Sequence, residues 1–456
     1  MRSAASLALL LAVPAAAQAP AEPTPYQRAI AAGYKAAFVC SGIFTSGRTE
    51  KQIDADELTG IYPEYERIVP TLKAEVNRSY GHVQVHWAED LPPRTAVYDV
   101  SNGCTLLPIG RTYAAPAIFH PSPPRSPRLG PWAARWPAGD VGVKPRPSRA
   151  LADVVARAFD KTSFGARSRT TGVLILRDGE VVAERYAVGW GPFTANRTWS
   201  VAKSIAGTLV GFAATRNGSD VEKPAFIPEW QAGGGSDIRR AISLDQLLRM
   251  ASGLHSDTAG NRTDAIYFGG TAVTDEATVW DVEARPGTRF RYANNDTLLA
   301  VRSLRASLGE DRYQALPHQL FGALGMSHTQ AGQDWRGNYI LSSQVWSTVR
   351  DLARLGQFWL QDGVWQGTRL LPAGWMKYMT TPSGPQPASG PRYGATLWLF
   401  GPAQGLPAGS YAAQGNRGQY VMVVPFERLV VVRRGEDPGT ARFDIAKFTA
   451  DVIRAK

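Results

Sequence analysis

Ser200 and Lys203 stand three residues apart where an apolar stretch begins. Residues at i and i+3 share one face of a helix, so this hydroxyl and amine meet if the stretch is helical. It reads as helical, because Val201, Ile205, Leu209 and Phe212 recur at helix spacing. A serine hydroxyl is a weak nucleophile, and a neighbouring amine of lowered pKa, or a further base, activates it. No other Ser-x-x-Lys occurs in the chain. Alone, the pair equally describes a capping serine followed by a solvated lysine, so the rest of the chain decides.

Rival chemistries find no support. Gly-x-Ser-x-Gly, His-Glu-x-x-His and Gly-x-x-x-x-Gly-Lys-Ser/Thr are absent. The six histidines follow no triad order. His82 and His86 lie four apart on a strand-like run with no third ligand following, so no metal site is expected. His255 and Asp257 follow Ser252-Gly253-Leu254 and read as loop residues beside a cleft. No cofactor is implied.

The surrounding chain is that of a globular protein: 456 residues, 44% hydrophobic and 20% charged. The net charge is +11, but the basic residues are scattered, and no block has the density of a nucleic-acid-binding arm. Arg2, the apolar run Leu7 to Val13 and Ala15-Ala16-Ala17 have the three regions of a secretory signal peptide, with cleavage expected after Ala17. The run is too short to span a bilayer. The mature protein is therefore expected to be periplasmic or secreted, with no stable membrane insertion after signal cleavage. In an oxidising compartment the two cysteines, Cys40 and Cys104, favour a disulfide.

Residues 18–114 read as an N-terminal accessory unit. Residues 20–34 read as a lead, and strands are expected at 82–87 and 95–100. Residues 115–147 are dense in proline and read as a linker or strap. The main domain, 148–456, opens with a helix capped by Ser148. A hairpin follows, turning at Asp178-Gly179 between apolar runs. From about 217 to 341 the pattern is mostly helix and loop, with helices expected after Ser243 and over 296–308. A further helix is expected over 347–360. Val421 to Val424 and Leu429 to Val432 flank a turn, and an amphipathic helix over about 441–454 closes the chain. One sheet completed by both ends of the domain, around an inserted helical segment, is the expected architecture.

Several ordered segments carry a resemblance: Ser200-Val201-Ala202-Lys203, Leu247 to Leu254, Pro286 to Asn295 with Tyr292-x-Asn294, Leu324-Gly325-Met326, and Ser347 to Arg354. From Ser148 to Lys456, though not in the N-terminal unit, the chain resembles the serine β-lactamase/penicillin-binding-protein-like hydrolases. The branch is that of the class C β-lactamases and family VIII esterases. The resemblance implies an α/β (α+β) fold with an antiparallel sheet flanked by helices. It implies Ser200 as nucleophile, Lys203 sharing its proton, and Tyr292 as a general base with partial phenolate character beside Lys203. Asn294 would orient Lys203 or bind a substrate amide. The family's third element is Lys-Thr-Gly, or His in place of Lys, and here the chain departs. Counting back from Gly418 and Pro425 places the element at Ala413-Gln414-Gly415, without a cation. Arg417 is close enough in sequence to substitute. Gln414 and Gly415 would line the cleft, and the amides of Ser200 and Asn416 would be the oxyanion donors.

What this implies is an exported serine hydrolase acting on a small-molecule ester or amide through an acyl-enzyme. Carboxylesterases and 6-aminohexanoate-oligomer hydrolases of this family share such a site, and Gly-x-x-Gly-Gln ending at Gln419 is compatible with the latter. The alternatives are a β-lactamase or D-Ala-D-Ala carboxypeptidase-type activity, and a non-catalytic binding protein on the same fold. The N-terminal unit is expected to pack over the main domain and shape the cleft.

Overall fold

The computed structural model describes residues 22–112, 134–218, 220–232, 236–255 and 263–455. The expected signal peptide, much of the proline-rich strap and Asp257 lie outside these residues. Among the described residues no helix is long and apolar enough to cross a membrane.

The N-terminal unit departs from the expected lead. Residues Pro25–Cys40 form a helix, started by a reciprocal cap in which Thr24 and Gln27 each accept the other's backbone amide, with Pro25 in the first turn. This helix lies on an antiparallel sheet of four short strands in sequential order, β1 (Ala74–Asn77), β2 (His82–Val85), β3 (Arg94–Asp99) and β4 (Gly103–Leu106). A disulfide joins Cys40 at the helix end to Cys104 on β4.

The main domain begins with the helix Arg149–Arg157, capped by Ser148, whose hydroxyl accepts the Leu151 amide. Strands β5 (Thr170–Arg177) and β6 (Glu180–Tyr186) follow. Both residues of their turn, Asp178 (φ 54°) and Gly179 (φ 87°), have the positive φ that a tight two-residue hairpin demands. Three short strands, β7 (Asn196–Arg197), β8 (Gln330–Ala331) and β9 (Val345–Ser347), form a separate sheet in the order β7-β9-β8. A small hairpin, β10 (Val364–Trp365) with β11 (Thr368–Arg369), precedes the final strands. These are β12 (Arg392–Tyr393), β13 (Trp398–Phe400), β14 (Ser410–Gly415), β15 (Gln419–Val424) and β16 (Leu429–Gly435).

The large sheet has the order β12-β13-β14-β15-β16-β5-β6, every neighbour antiparallel. Both ends of the domain thus complete one sheet, as the pattern of apolar runs implies. Alternation along each strand sorts its side chains to two cores. Met422, Val424 and Val431 face the helices Arg149–Arg157 and Ile445–Arg454. Val421, Val423 and Val430 face the other way, into the larger core containing Val201, Ile205 and Leu209.

The Ser200 stretch is the helix Val201–Asn217. It is buried all round through Ala214 rather than on one stripe, as befits a central helix. Gly207 permits this depth, since a Cβ there would meet Thr396 Oγ1 at 2.4 Å. The insert supplies the helices Leu244–Leu248, Asn294–Leu308 and Glu310–Leu324. Its helix expected from residue 296 begins two residues earlier.

The N-terminal unit does not stand apart. Ala29 to Leu106 contribute to the same continuous core as the Ser200 helix. Arg94, 1% exposed, ties the unit to the insert by donating to the carbonyls of Ala29, Leu107, Phe268 and Gly269 at 2.7–3.0 Å. The disulfide closes a loop with a sequence separation of 64, which in the chain-entropy view stabilises the fold by about 4 kcal/mol. Replacing Cys40 and Cys104 together by Ser is expected to lower stability by about 2–5 kcal/mol, read as a lower denaturant midpoint. An unchanged midpoint would show that the cross-link constrains nothing.

Candidate active site

Ser200 occupies the N-cap position of the central helix and is half-buried. Its position is set by the residues just before it. Strand β7 pairs with β9, and the Thr198 amide donates to the Val345 carbonyl at 2.7 Å. Arg434, buried at the end of β16, donates to the carbonyls of Asn196, Arg197 and Ser347 and to Gln419 Oε1. One guanidinium thereby fastens the large sheet to the strand leading into the nucleophile. Trp199 then takes a left-handed backbone, φ 50°, a conformation that costs a bulky residue on the order of 1–2 kcal/mol.

Lys203 lies one turn on, 1% exposed. Its Nζ donates to Ser200 Oγ at 3.1 Å, to the Ser342 carbonyl at 2.8 Å and to Asn294 Oδ1. Burial, reinforced by the positive charge of Arg197, lowers its pKa to about 7. Asn294 opens the helix Asn294–Leu308, and its Nδ2 donates to Thr263 Oγ1 at 3.3 Å. Tyr292, two residues earlier, hydrogen-bonds Ser200 with its hydroxyl, and its ring centroid is 5.1 Å from Lys203 Nζ. Trp398 and Tyr393 pack on that ring, at 5.4 and 6.0 Å between centroids.

The Tyr292 phenol does not follow the expected direction. Burial pushes its pKa up, an effect that the hydrogen bond from Ser200 reduces and the nearby Tyr267 adds to. The expectation of a phenolate assumed a charged lysine beside it. Here the lysine releases its proton near neutrality, and the phenol keeps its own.

Gly415, the last residue of β14, comes against the nucleophile. A Cβ there would lie 2.3 Å from the Thr198 carbonyl oxygen and 3.1 Å from the Ser200 amide nitrogen, so only glycine allows the approach. Gln414 and Gly415 are half-buried and Asn416 is exposed at the strand tip. Ala413, where the sequence count would put the family's cation, is buried.

Arg417 does not replace that cation. Its guanidinium pairs with Glu436 at 2.8 Å and donates to the carbonyls of Asp56, Thr59 and Gly60. Its pull is toward a buried carboxylate and a ring of carbonyls in the N-terminal unit, which sequence proximity to Gly415 does not disclose. His255 stacks on Trp280 and pairs with Glu283. Ser252 donates to Asp296 Oδ1 at 2.8 Å, and burial raises that carboxyl to about 7. This bond holds the Ser252-Gly253-Leu254 segment to the helix carrying Asn294.

Arg197, Arg434 and the hydrogen-bonding role of Gln419 belong to no motif in the sequence. Arg197 donates to the Ser343 carbonyl and hydroxyl and lies 3.9 Å from the centroid of Trp199. Gln419 donates to the carbonyls of Arg417 and Gly435. The available signal was the pair Arg433-Arg434 ending an otherwise apolar strand.

Together, a buried amine of near-neutral pKa, a serine hydroxyl, a protonated phenol and a glycine-lined strand tip meet at one helix start. That arrangement can carry out acyl transfer. The chain is 30% identical over 303 residues to 6-aminohexanoate-dimer hydrolase from Paenarthrobacter ureafaciens, covering 59% of this chain and 74% of that protein. Its fold is similar to that of an octameric penicillin-binding protein homologue from Pyrococcus abyssi (TM-score 0.51, 17% identity, 67% of this chain and 77% of that one). It is also similar to a class C beta-lactamase solved in complex with cefoxitin (TM-score 0.50, 14% identity, 67% and 98%). Residues 155–452 match the family described as Beta-lactamase, and the chain belongs to that family of serine hydrolases.

Proposed function

We propose that the chain is an exported serine hydrolase that cleaves a small ester or amide through an acyl-enzyme on Ser200. The observation that carries the reading is the contact of Lys203 Nζ with Ser200 Oγ at 3.1 Å, on a lysine whose pKa is about 7. In this mechanism neutral Lys203 takes the Ser200 proton as Oγ attacks the substrate carbonyl carbon. The carbonyl oxygen gains the negative charge, and the amides of Ser200 and Asn416 stabilise it, aided by the positive end of the central helix. Collapse of the tetrahedral species breaks the bond to the leaving oxygen or nitrogen. Tyr292 gives its proton to that atom and is reprotonated from the Lys203 ammonium. Water then attacks the ester on Ser200, with the same groups accepting and returning a proton. Asn294 holds Lys203 in line.

The disulfide supports an oxidising compartment and hence export. The relative named for a 6-aminohexanoate dimer supports screening linear amides alongside esters. Strand β14 reads Ser-Tyr-Ala-Ala-Gln-Gly and offers no cation to a substrate carboxylate, which counts against β-lactams and D-Ala-D-Ala peptides as preferred substrates. A chromogenic cephalosporin turned over at enzyme-like rates would reverse that preference. Normal folding with no labelling by any serine-directed probe would favour a binding protein.

Two outcomes are expected. Ser200→Ala loses fluorophosphonate labelling and cuts ester hydrolysis on the order of a thousandfold or more, whereas equal labelling of both proteins would remove Ser200 as nucleophile. The labelling rate of the unaltered protein rises with pH through about 7 and then levels off, because below its pKa Lys203 is already protonated and cannot accept the serine proton. A rate independent of pH between about 5.5 and 9 would contradict a lysine base.

A further inference from the structure

The family match begins at residue 155, so residues 22–112 lie outside it. They nonetheless reach the neighbours of both amides assigned to the oxyanion. On the nucleophile side the contact is Trp199, the residue before Ser200. Its ring is buried, and two rings of the N-terminal unit pack on it, Phe38 at 6.0 Å and Tyr62 edge-on at 6.5 Å and 90°. The Arg197 guanidinium closes the stack, 3.9 Å from the Trp199 centroid and 5.2 Å from that of Phe38. Cys40, two residues beyond Phe38, is bonded to Cys104, which pins that end of the helix to the N-terminal sheet. Ser46 adds a hydrogen bond from its hydroxyl to the Ala195 carbonyl.

On the strand side the contact is Arg417, the residue after Asn416. Its backbone is also left-handed, φ 56°. Its guanidinium is held by the carbonyls of Asp56, Thr59 and Gly60 together with Glu436. A non-glycine residue keeps such a backbone only where its surroundings over-determine it. At both positions many of the restraining groups belong to the N-terminal unit. The two turns flank the two amides, and oxyanion donors lose most of their effect when displaced from hydrogen-bonding distance.

We infer that the N-terminal unit is a positioning element of the acyl-transfer site. Phe38 and Tyr62 set the Ser200 amide through Trp199, and the carbonyls of residues 56, 59 and 60 set the Asn416 amide through Arg417. The inference rests on the acyl-enzyme reading and extends the working site to a segment outside the family domain.

The test uses the full chain and a fluorophosphonate probe, recording the labelling rate constant, the final labelled fraction and the thermal midpoint. Tyr62→Ala removes a ring that is only partly buried. Arg417→Lys keeps a positive charge near Glu436 but replaces the planar fork by a single ammonium. The rate constant is expected to fall at least tenfold in both variants with the labelled fraction unchanged, and Tyr62→Phe restores it to within twofold. With a chromogenic ester the loss falls on kcat, with KM within twofold. A lower labelled fraction or midpoint with an unchanged rate constant would mean a merely structural role and overturn the inference. Rate constants within twofold of the unaltered protein in both variants overturn it too, leaving the acyl-enzyme reading intact. An unlabelled wild type, or Ser200→Ala labelled equally, removes that reading and this inference with it.

Discussion

An ammonium in water is surrounded by oxygens that reorient around it, and Lys203 has exchanged them for three fixed ones. Ser200 Oγ, Asn294 Oδ1 and the Ser342 carbonyl are all neutral, so no anion offsets the lost hydration and the proton is held weakly. Arg197 adds to the effect. The three acceptors come from the central helix, the start of a helix in the insert and the loop before β9. The amine is therefore tuned only when sheet, insert and helix are packed together. Folding and chemistry share one requirement, a packed junction at the start of the Ser200 helix.

Buried guanidinium groups hold that junction together. Arg434 joins β16 to β7 and β9, Arg94 joins the N-terminal helix to the insert, and Arg417 joins the tip of β14 to the N-terminal unit. Each uses its planar fork to reach several backbone carbonyls from different segments at once. Apolar packing alone would leave the register of these loops free. The forks fix it, at the desolvation cost of a buried charge. The left-handed residues at 199 and 417 sit beside two of these fastenings, so local strain and its restraint occur side by side.

Much of the scaffold was legible because its signals are local. Ser148 and Ser243 cap their helices, Asp178-Gly179 turns its hairpin, and the apolar runs at 421 and 429 pair as adjacent strands. The candidate site was legible as short motifs, since Ser200, Lys203, Tyr292 and Asn294 meet and Gly415 reaches Ser200. What was not legible depends on partners distant in the chain. The direction of Arg417 is set by carbonyls more than 350 positions away. The phenol of Tyr292 is set by burial, which no motif encodes. The helix Pro25–Cys40 is marked in the sequence only by its cap, Thr24, Pro25 and Gln27, because its alanine-rich stretch lacks a clear apolar stripe.

The account stands on Lys203 being an amine that loses its proton near neutrality inside the folded protein. Titrating its side-chain carbon signal by NMR, in protein carrying 13C-labelled lysine and assigned by comparison with Lys203→Arg, measures this without any substrate. The account predicts a midpoint at about 7, well below the ordinary lysine value of about 10.4. A midpoint in the ordinary lysine range would leave Lys203 charged at neutral pH, unable to take the Ser200 proton, and contradict it.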